Sequence, residues 1–152
     1  MMRQHVDETG IHERYREEIR EKLEQDSFAQ FLGISLLEFG PGTAVAELEV
    51  KEHMLNAHGT THGAVIFALA DFVFAVASNS YGKTSVALSM NIGYLAPSMK
   101  GNRLRATALE EKKNNRTSWY RIRVENEEGP VALLDALAYR KNDHFVSIEP
   151  QT

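Results

Sequence analysis

Between Ala64 and Ala77 every residue is apolar except Asp71. No other feature of the chain restricts its fold so tightly. The run falls short of the roughly 20 residues that a membrane-spanning helix needs, and a carboxylate at mid-membrane is costly. It reads instead as a helix from about Gly63 to Ser80, closed by Tyr81-Gly82 and covered by protein on nearly all sides. Asp71 is then an anomaly. An unpaired carboxylate in apolar surroundings is expensive, so it must be paired, protonated, or exposed in a cleft. Surroundings that raise its pKa make it a general base; the plainer reading is a hydrogen bond to a loop amide across the core or a subunit interface.

The cover for this helix must come from the rest of the 152 residues, enough for one domain with a real core. His12 to Gln25 is strongly helix-forming, with a thin stripe of Tyr15, Ile19 and Leu23 that marks a solvated surface helix. Ser27 is the expected cap of a short second helix through Phe31, stopped by Gly33. Beyond it the period changes to two. Gly40-Pro41-Gly42 separates strands Ile34–Phe39 and Thr43–Lys51, where Ala44, Ala46, Leu48 and Val50 face one way and Glu47 and Glu49 the other.

After the apolar helix, four strands are expected: Thr84–Leu95, Arg103–Lys112, Thr117–Glu125 and Val131–Arg140, with a hairpin turn at Asn114-Asn115. Ala132, Leu134, Ala136 and Ala138 suit a strand face pressed against a helix. A single apolar helix in such a sheet can be hidden only if the sheet curls around it. Val45, Leu109 and Trp119 are left on the other face and invite subunit packing.

The loop Glu52–His62 contains the other chemically suggestive groups. Gly63 lies near the helix N-terminus, where free N–H groups and the dipole favour developing negative charge, as on a thioester oxyanion. The competing reading is that Gly63 merely starts the helix and Thr60 or Thr61 caps it. Asn56 offers an amide to a water or a carbonyl, or is simply a turn residue. His58 and His62 are four apart, but Gly59 argues against a helix between them and no third ligand is evident, so no metal is expected. Asp71 follows Gly63 by eight residues, a rise of roughly 12 Å, so a site using both must be built between two subunits.

Cysteine is absent, excluding disulfides and thiolate chemistry. Ser78, Ser80, Ser85 and Ser89 lie in no nucleophile elbow. The glycine-rich nucleotide patterns are missing. With a formal net charge of -4, nucleic acid is not an expected partner. Neither is a membrane. The polar opening MMRQHVDETG does not read as a secretory signal, and a cytoplasmic home is expected. Lys83, Arg103, Lys112, Lys113 and Arg116 are candidates for contacts to external phosphates, or plain solvated surface.

The stretch from His53 through Asn56, His62-Gly63-Ala64 and Phe67-Ala68-Leu69-Ala70-Asp71 closely resembles the PaaI-like, phenylacetate-degradation type of hotdog thioesterases. Phe74 to Gly82, Tyr94-Leu95-Ala96-Pro97 and Gly101-Asn102-Arg103-Leu104 continue the match, which covers roughly Phe31 to Lys141. Three positions depart: Ala64 replaces a glycine, Phe72 stands where threonine is common, and Asn102 where aspartate is frequent.

The resemblance implies an α+β hotdog fold: a curled antiparallel sheet wrapped around one long central hydrophobic helix, with an N-terminal surface helix. Residues 1–26 would be a helical extension, 27–142 the hotdog domain and 143–152 a tail. It further implies an acyl-coenzyme A thioesterase, dimeric or a dimer of dimers, with coenzyme A as part of the substrate and no separate cofactor. Asp71 would be the base or nucleophile, Gly63 of the partner copy the N–H that polarises the carbonyl, and Asn56 a positioning amide. His62 and His58 would support them. A non-catalytic acyl-coenzyme A binder and a hotdog hydratase or dehydratase are the alternatives.

Overall fold

The computed structural model describes residues 6–150, so part of the opening stretch and the last two residues lie outside it. The elements are α1 (Glu8–Glu24), α2 (Ser27–Leu32), β1 (Ser35–Gly40), β2 (Thr43–Glu49), a 3-10 turn (Glu52–Met54), α3 (Gly63–Ser78), β3 (Lys83–Tyr94), β4 (Arg103–Lys113), β5 (Thr117–Asn126) and β6 (Gly129–His144). The strands form one antiparallel sheet in the order β1-β2-β4-β5-β6-β3. The expected sequence of elements is therefore present, with boundaries shifted by a few residues.

The expected shape is not. The sheet does not close or curl around a helix; β1 and β3 are free edges. Nor is there one long central helix: α3 has 16 residues and α1 has 17, with the six-residue α2 between them in the chain. The wrapping expectation assumed that the sheet alone must hide α3. The cover is shared instead, since Ile19 of α1 and Ala29 and Leu32 of α2 join the same apolar cluster as α3.

α3 lies against the alternate residues expected on the inner faces of β2 and β6, and also against Ala106 and Ala108 of β4, which were not singled out. Ala44, Ala46, Ala106, Ala108, Ala132, Ala136 and Ala138 are all essentially inaccessible, and the register sets Ala46 opposite Ala106 and Ala44 opposite Ala108. This floor of methyl groups lets the bulkier helix side chains sit close to the sheet. Phe74 enters it and meets Tyr120 edge-on, with ring centroids 5.5 Å apart.

α1 is more than a solvated surface helix, because Ile11, His12 and Ile19 are buried. Asp7 caps it, accepting from Gly10 N–H at 3.0 Å. Arg16 and Arg20 donate to the carbonyls of Phe39 and Leu36, each at 3.2 Å, so α1 covers part of the β1 edge. Asp26, not Ser27, caps α2, and Gly33 ends that helix at φ 76°. Near the C-terminus, Phe145 N–H bonds to Gly82 O, and Glu149 pairs with Arg14 at 2.9 Å.

Candidate functional site

α3 is covered on nearly all sides, as its composition demands, but one stripe stays open. Ala64, Phe67, Ala68, Asp71 and Ala75 are its incompletely buried side chains beyond Gly63, and they recur at helical spacing. Asp71 lies in the middle of this otherwise apolar stripe. That resolves the anomaly of a carboxylate in such a helix: it faces outward from the single chain. Among the described residues it accepts no hydrogen bond and joins no ion pair.

The Asp71 carboxyl is nonetheless pushed above the usual aspartate value, first by desolvation and second by the negative charge of Asp26, the α2 cap. Exposure and desolvation pull in opposite senses here. The carboxylate reaches water, yet protein mass crowds it on the helix side, and solvent damps the energy of the shift.

At the helix start, His62 is the cap, where Thr60 or Thr61 was the alternative. Its Nδ1 accepts from Ala64 N–H at 3.0 Å, its carbonyl from Val65 N–H at 2.9 Å, and its own N–H donates to Met54 O at 2.8 Å. Among the described residues nothing accepts from the Gly63 N–H. The first turn thus offers one free donor whose neighbours are occupied.

Asn56 is a loop organiser. Its Oδ1 accepts from the N–H groups of His58 and Thr60, at 2.9 and 3.2 Å, and its Nδ2 donates to Thr60 Oγ1 at 2.8 Å. One amide hydrogen remains for a ligand. Thr61 and Ser98 tie this loop to the segment after β3 through Ser98 Oγ–Thr61 Oγ1 at 2.6 Å and Thr61 Oγ1–Ser98 O at 3.0 Å. His58 is exposed and contributes its backbone N–H.

Asn56, Thr61, Gly63, Ile66, Tyr94 and Pro97 line a cavity of 390 Å³. A larger hollow of 440 Å³, between Leu109, Arg121 and Leu133, lies on the opposite sheet face and holds neither Gly63 nor Asp71. The smaller one is where the unpaired donor opens, so chemistry points there. Asp71 does not line it; about two helical turns separate the two groups within one chain.

The basic candidates divide. Arg103 and Lys113 stand at opposite ends of β4, roughly 33 Å apart. Arg103 pairs with Glu47 at 3.2 Å. Lys83, Lys112, Lys113 and Arg116 gather near the β4–β5 turn, where Lys83 Nζ reaches Asn115 O at 3.3 Å and Lys113 pairs with Glu8 at 3.3 Å. The five therefore form no single phosphate patch. Of the aromatic side chains on and around α3, Tyr94 lines the cavity, Phe72 and Phe74 are core, Phe67 is half-buried on the α3 stripe, and Trp119 lies exposed on the outer sheet face.

Two contacts were not foreseen from the sequence, although Tyr94 itself lies in the matched motif Tyr94-Leu95-Ala96-Pro97. Tyr94, at the end of β3, donates its hydroxyl to Gly63 O at 2.9 Å, a link across 31 residues that no local pattern signals. Arg140 is buried and ion-pairs with Glu8 of α1. A charged residue in a strand read as pressed on a helix was the available hint.

The thioesterase superfamily model matches residues 58–133. A putative esterase of Archaeoglobus fulgidus is 38% identical over 121 residues, 79% of either chain. The acyl-coenzyme A thioesterase PaaI of Escherichia coli is 37% identical over 118 residues, 77% of this chain and 84% of that one. The solved structure of the E. coli PaaI protein from the phenylacetic acid degradation operon superposes with a TM-score of 0.82, covering 90% of this chain and 97% of that one at 32% identity. No helix among the described residues is long and apolar enough to cross a membrane.

Proposed function

The chain belongs to the PaaI-like, hotdog-fold thioesterase superfamily, and on that premise we propose that it hydrolyses acyl- or aryl-acyl-coenzyme A to the free acid and the thiol, with Asp71 and the Gly63 N–H as its reacting groups. That it is a thioester hydrolase follows from the family. The residue roles rest on one observation: the groups on α3 left without a protein partner, among the described residues, include a carboxylate and a backbone N–H of opposite electrostatic character.

The Gly63 N–H donates to the carbonyl oxygen as it gains negative charge. The Asp71 carboxylate removes a proton from water as the water oxygen bonds to the carbonyl carbon and the π pair moves to oxygen. Collapse restores the carbonyl, breaks the C–S bond and expels the thiolate, which takes up the proton held by Asp71. In the second route the carboxylate itself attacks, giving a mixed anhydride that water cleaves. Either way Asp71 must be ionised to begin.

Gly63 and Asp71 of one chain stand about two turns apart, too far to flank one carbon. A second copy supplies the complement. The open apolar stripe that carries Asp71 and the uncovered β3 edge, with Val86 and Leu88 exposed, both support a dimer-based site. Asn56 directs its remaining amide hydrogen to the carbonyl or the water. His62 holds the first helical turn and His58 the loop.

Thiol release from short, medium, long and phenylacetyl-coenzyme A thioesters tests this, with Asp71→Ala in parallel. Release by the native protein that vanishes in the folded variant is expected. Near-native turnover by Asp71→Ala would end the Asp71 assignment. No release from any thioester, with binding retained, would favour a non-catalytic acyl-coenzyme A binder.

A further inference from the structure

A glycine is the least suitable residue from which to hang a precisely aimed donor, because its backbone is the freest in the chain. Gly63 has no side chain to pack, and its N–H is not anchored by any acceptor among the described residues. Its two flanking peptide units must be held by something else if the donor is to be preorganised. His62 holds one side, since its carbonyl, in the same peptide unit as the Gly63 N–H, accepts from Val65 N–H at 2.9 Å.

The other side is held by Tyr94. Its hydroxyl donates to Gly63 O at 2.9 Å. Its ring lies so close that a methyl group placed on Gly63 would meet the ring carbon Cζ and the hydroxyl oxygen at 3.1 Å. Tyr94 is itself fixed from behind, since it pairs with Ala132 of β6 and the following Leu95 N–H bonds to Val131 O at 2.8 Å. The side chain is about half exposed (53%) and lines the same cavity as Gly63, so burial does not explain its orientation. The hydrogen bond and the ring contact do.

We propose that Tyr94 is a positioning residue for the reaction: anchored on the sheet, it clamps Gly63 so that the free N–H points into the cavity before substrate arrives. The inference rests on the Gly63 role given above. The clamp also bears on glycine at position 63, where a Cβ would lie 3.1 Å from the tyrosine ring and the ring would have to give by a few tenths of an ångström.

The test compares native protein, Tyr94→Phe and Tyr94→Leu, each checked by circular dichroism and for oligomeric size. Two readouts are taken: kcat and KM on the most rapidly cleaved coenzyme A thioester, and the NMR order parameter of the Gly63 amide. Tyr94→Phe, which keeps the ring, should lower kcat about 10-fold with KM within about twofold; Tyr94→Leu should lower it about 100-fold, approaching loss of the donor. The Gly63 order parameter should fall from about 0.85 to below about 0.6 in Tyr94→Leu. A rigid Gly63 in Tyr94→Leu overturns the proposal, as does kcat within twofold of native in both variants. A raised KM with unchanged kcat also overturns it, since Tyr94 would then be a substrate contact. If the native protein releases no thiol, the hydrolase reading fails separately and the Gly63 order parameter alone decides the clamp. Should Tyr94→Leu misfold, Tyr94→Phe still carries the test.

Discussion

Two polar groupings in this molecule are built on opposite plans. At the start of β3, Arg140 is buried against Glu8 and also donates to Asn114 O at 2.7 Å, while Lys113 reaches Glu8 and lies 3.6 Å over the Tyr81 ring. Tyr81 and Tyr120 both donate to Glu110 Oε1, at 2.9 and 3.3 Å. Nearly every polar side chain there has a partner; among the described residues the exceptions are Arg140 Nε and the neighbouring Ser118 Oγ, buried without one. Around α3, by contrast, the Asp71 carboxylate and the Gly63 N–H have none among the described residues. Partnered charges fix the fold and resist change, whereas unpartnered ones stay available to a ligand.

The electrostatics follow the same division. Burial alone would raise the Glu8 pKa, but the hydrogen bond and charge of Arg140, with Lys113 behind them, bring it below the ordinary value. Desolvation dominates at Asp71 and raises it. Burial first, and then Glu110, raises the Tyr81 and Tyr120 hydroxyls, so both remain protonated donors.

The sharpest way to break the comparison is to remove each carboxylate in turn. Asp71→Ala should lower kcat/KM about 10³-fold or more while Tm moves little, measured by thiol release and calorimetry. Glu8→Ala should do the reverse: about 2–3 kcal/mol less stability by urea denaturation, for leaving Arg140 unpaired in the interior, with kcat per folded molecule within about twofold. If Glu8→Ala were the variant that lost turnover, the division between the two groupings would collapse.

Smaller effects sharpen it. His62→Ala removes the α3 cap and should cost about 1 kcal/mol, seen as a lower urea midpoint. The pH dependence of stability should separate the carboxylates by sign. Glu8 binds its proton more weakly folded than unfolded, so its contribution is present above the ordinary glutamate value of 4.5 and is lost as pH falls through its lower folded pKa. Asp71 binds its proton more tightly when folded, so its ionisation costs stability as pH rises from 3.8 through its higher folded pKa. Asp71→Asn should therefore melt at the native temperature or slightly above it at pH 7. A marked drop in Tm there would mean that Asp71 is paired after all. In the native enzyme, the acid limb of kcat/KM should have its midpoint above 3.8.

Much of the fold was legible locally. The alternation of Ala44, Ala46 and Leu48 is the inner face of β2, and the apolar run is α3. Both signals are periodic over neighbours. The curled, single-helix shape was not correctly legible, because the contribution of α1 depends on Arg16, Arg20 and Ile19 meeting an edge strand distant in sequence. Of the candidate site, Asp71 stood out by composition and Gly63 by position.

The sequence by itself determined which segments are strands and helices, which residues face inward, and that Asp71 was out of place in an apolar helix. All of these rest on short-range period and on the cost of burying charge. Only the tertiary structure decided that the sheet stays open with β1 and β3 at its ends, that Asp71 lies on the one open stripe of α3, and that Tyr94 holds Gly63 from another element. Those depend on which distant surfaces meet, and a pattern of neighbours along the chain does not encode the pairing until the chain has folded.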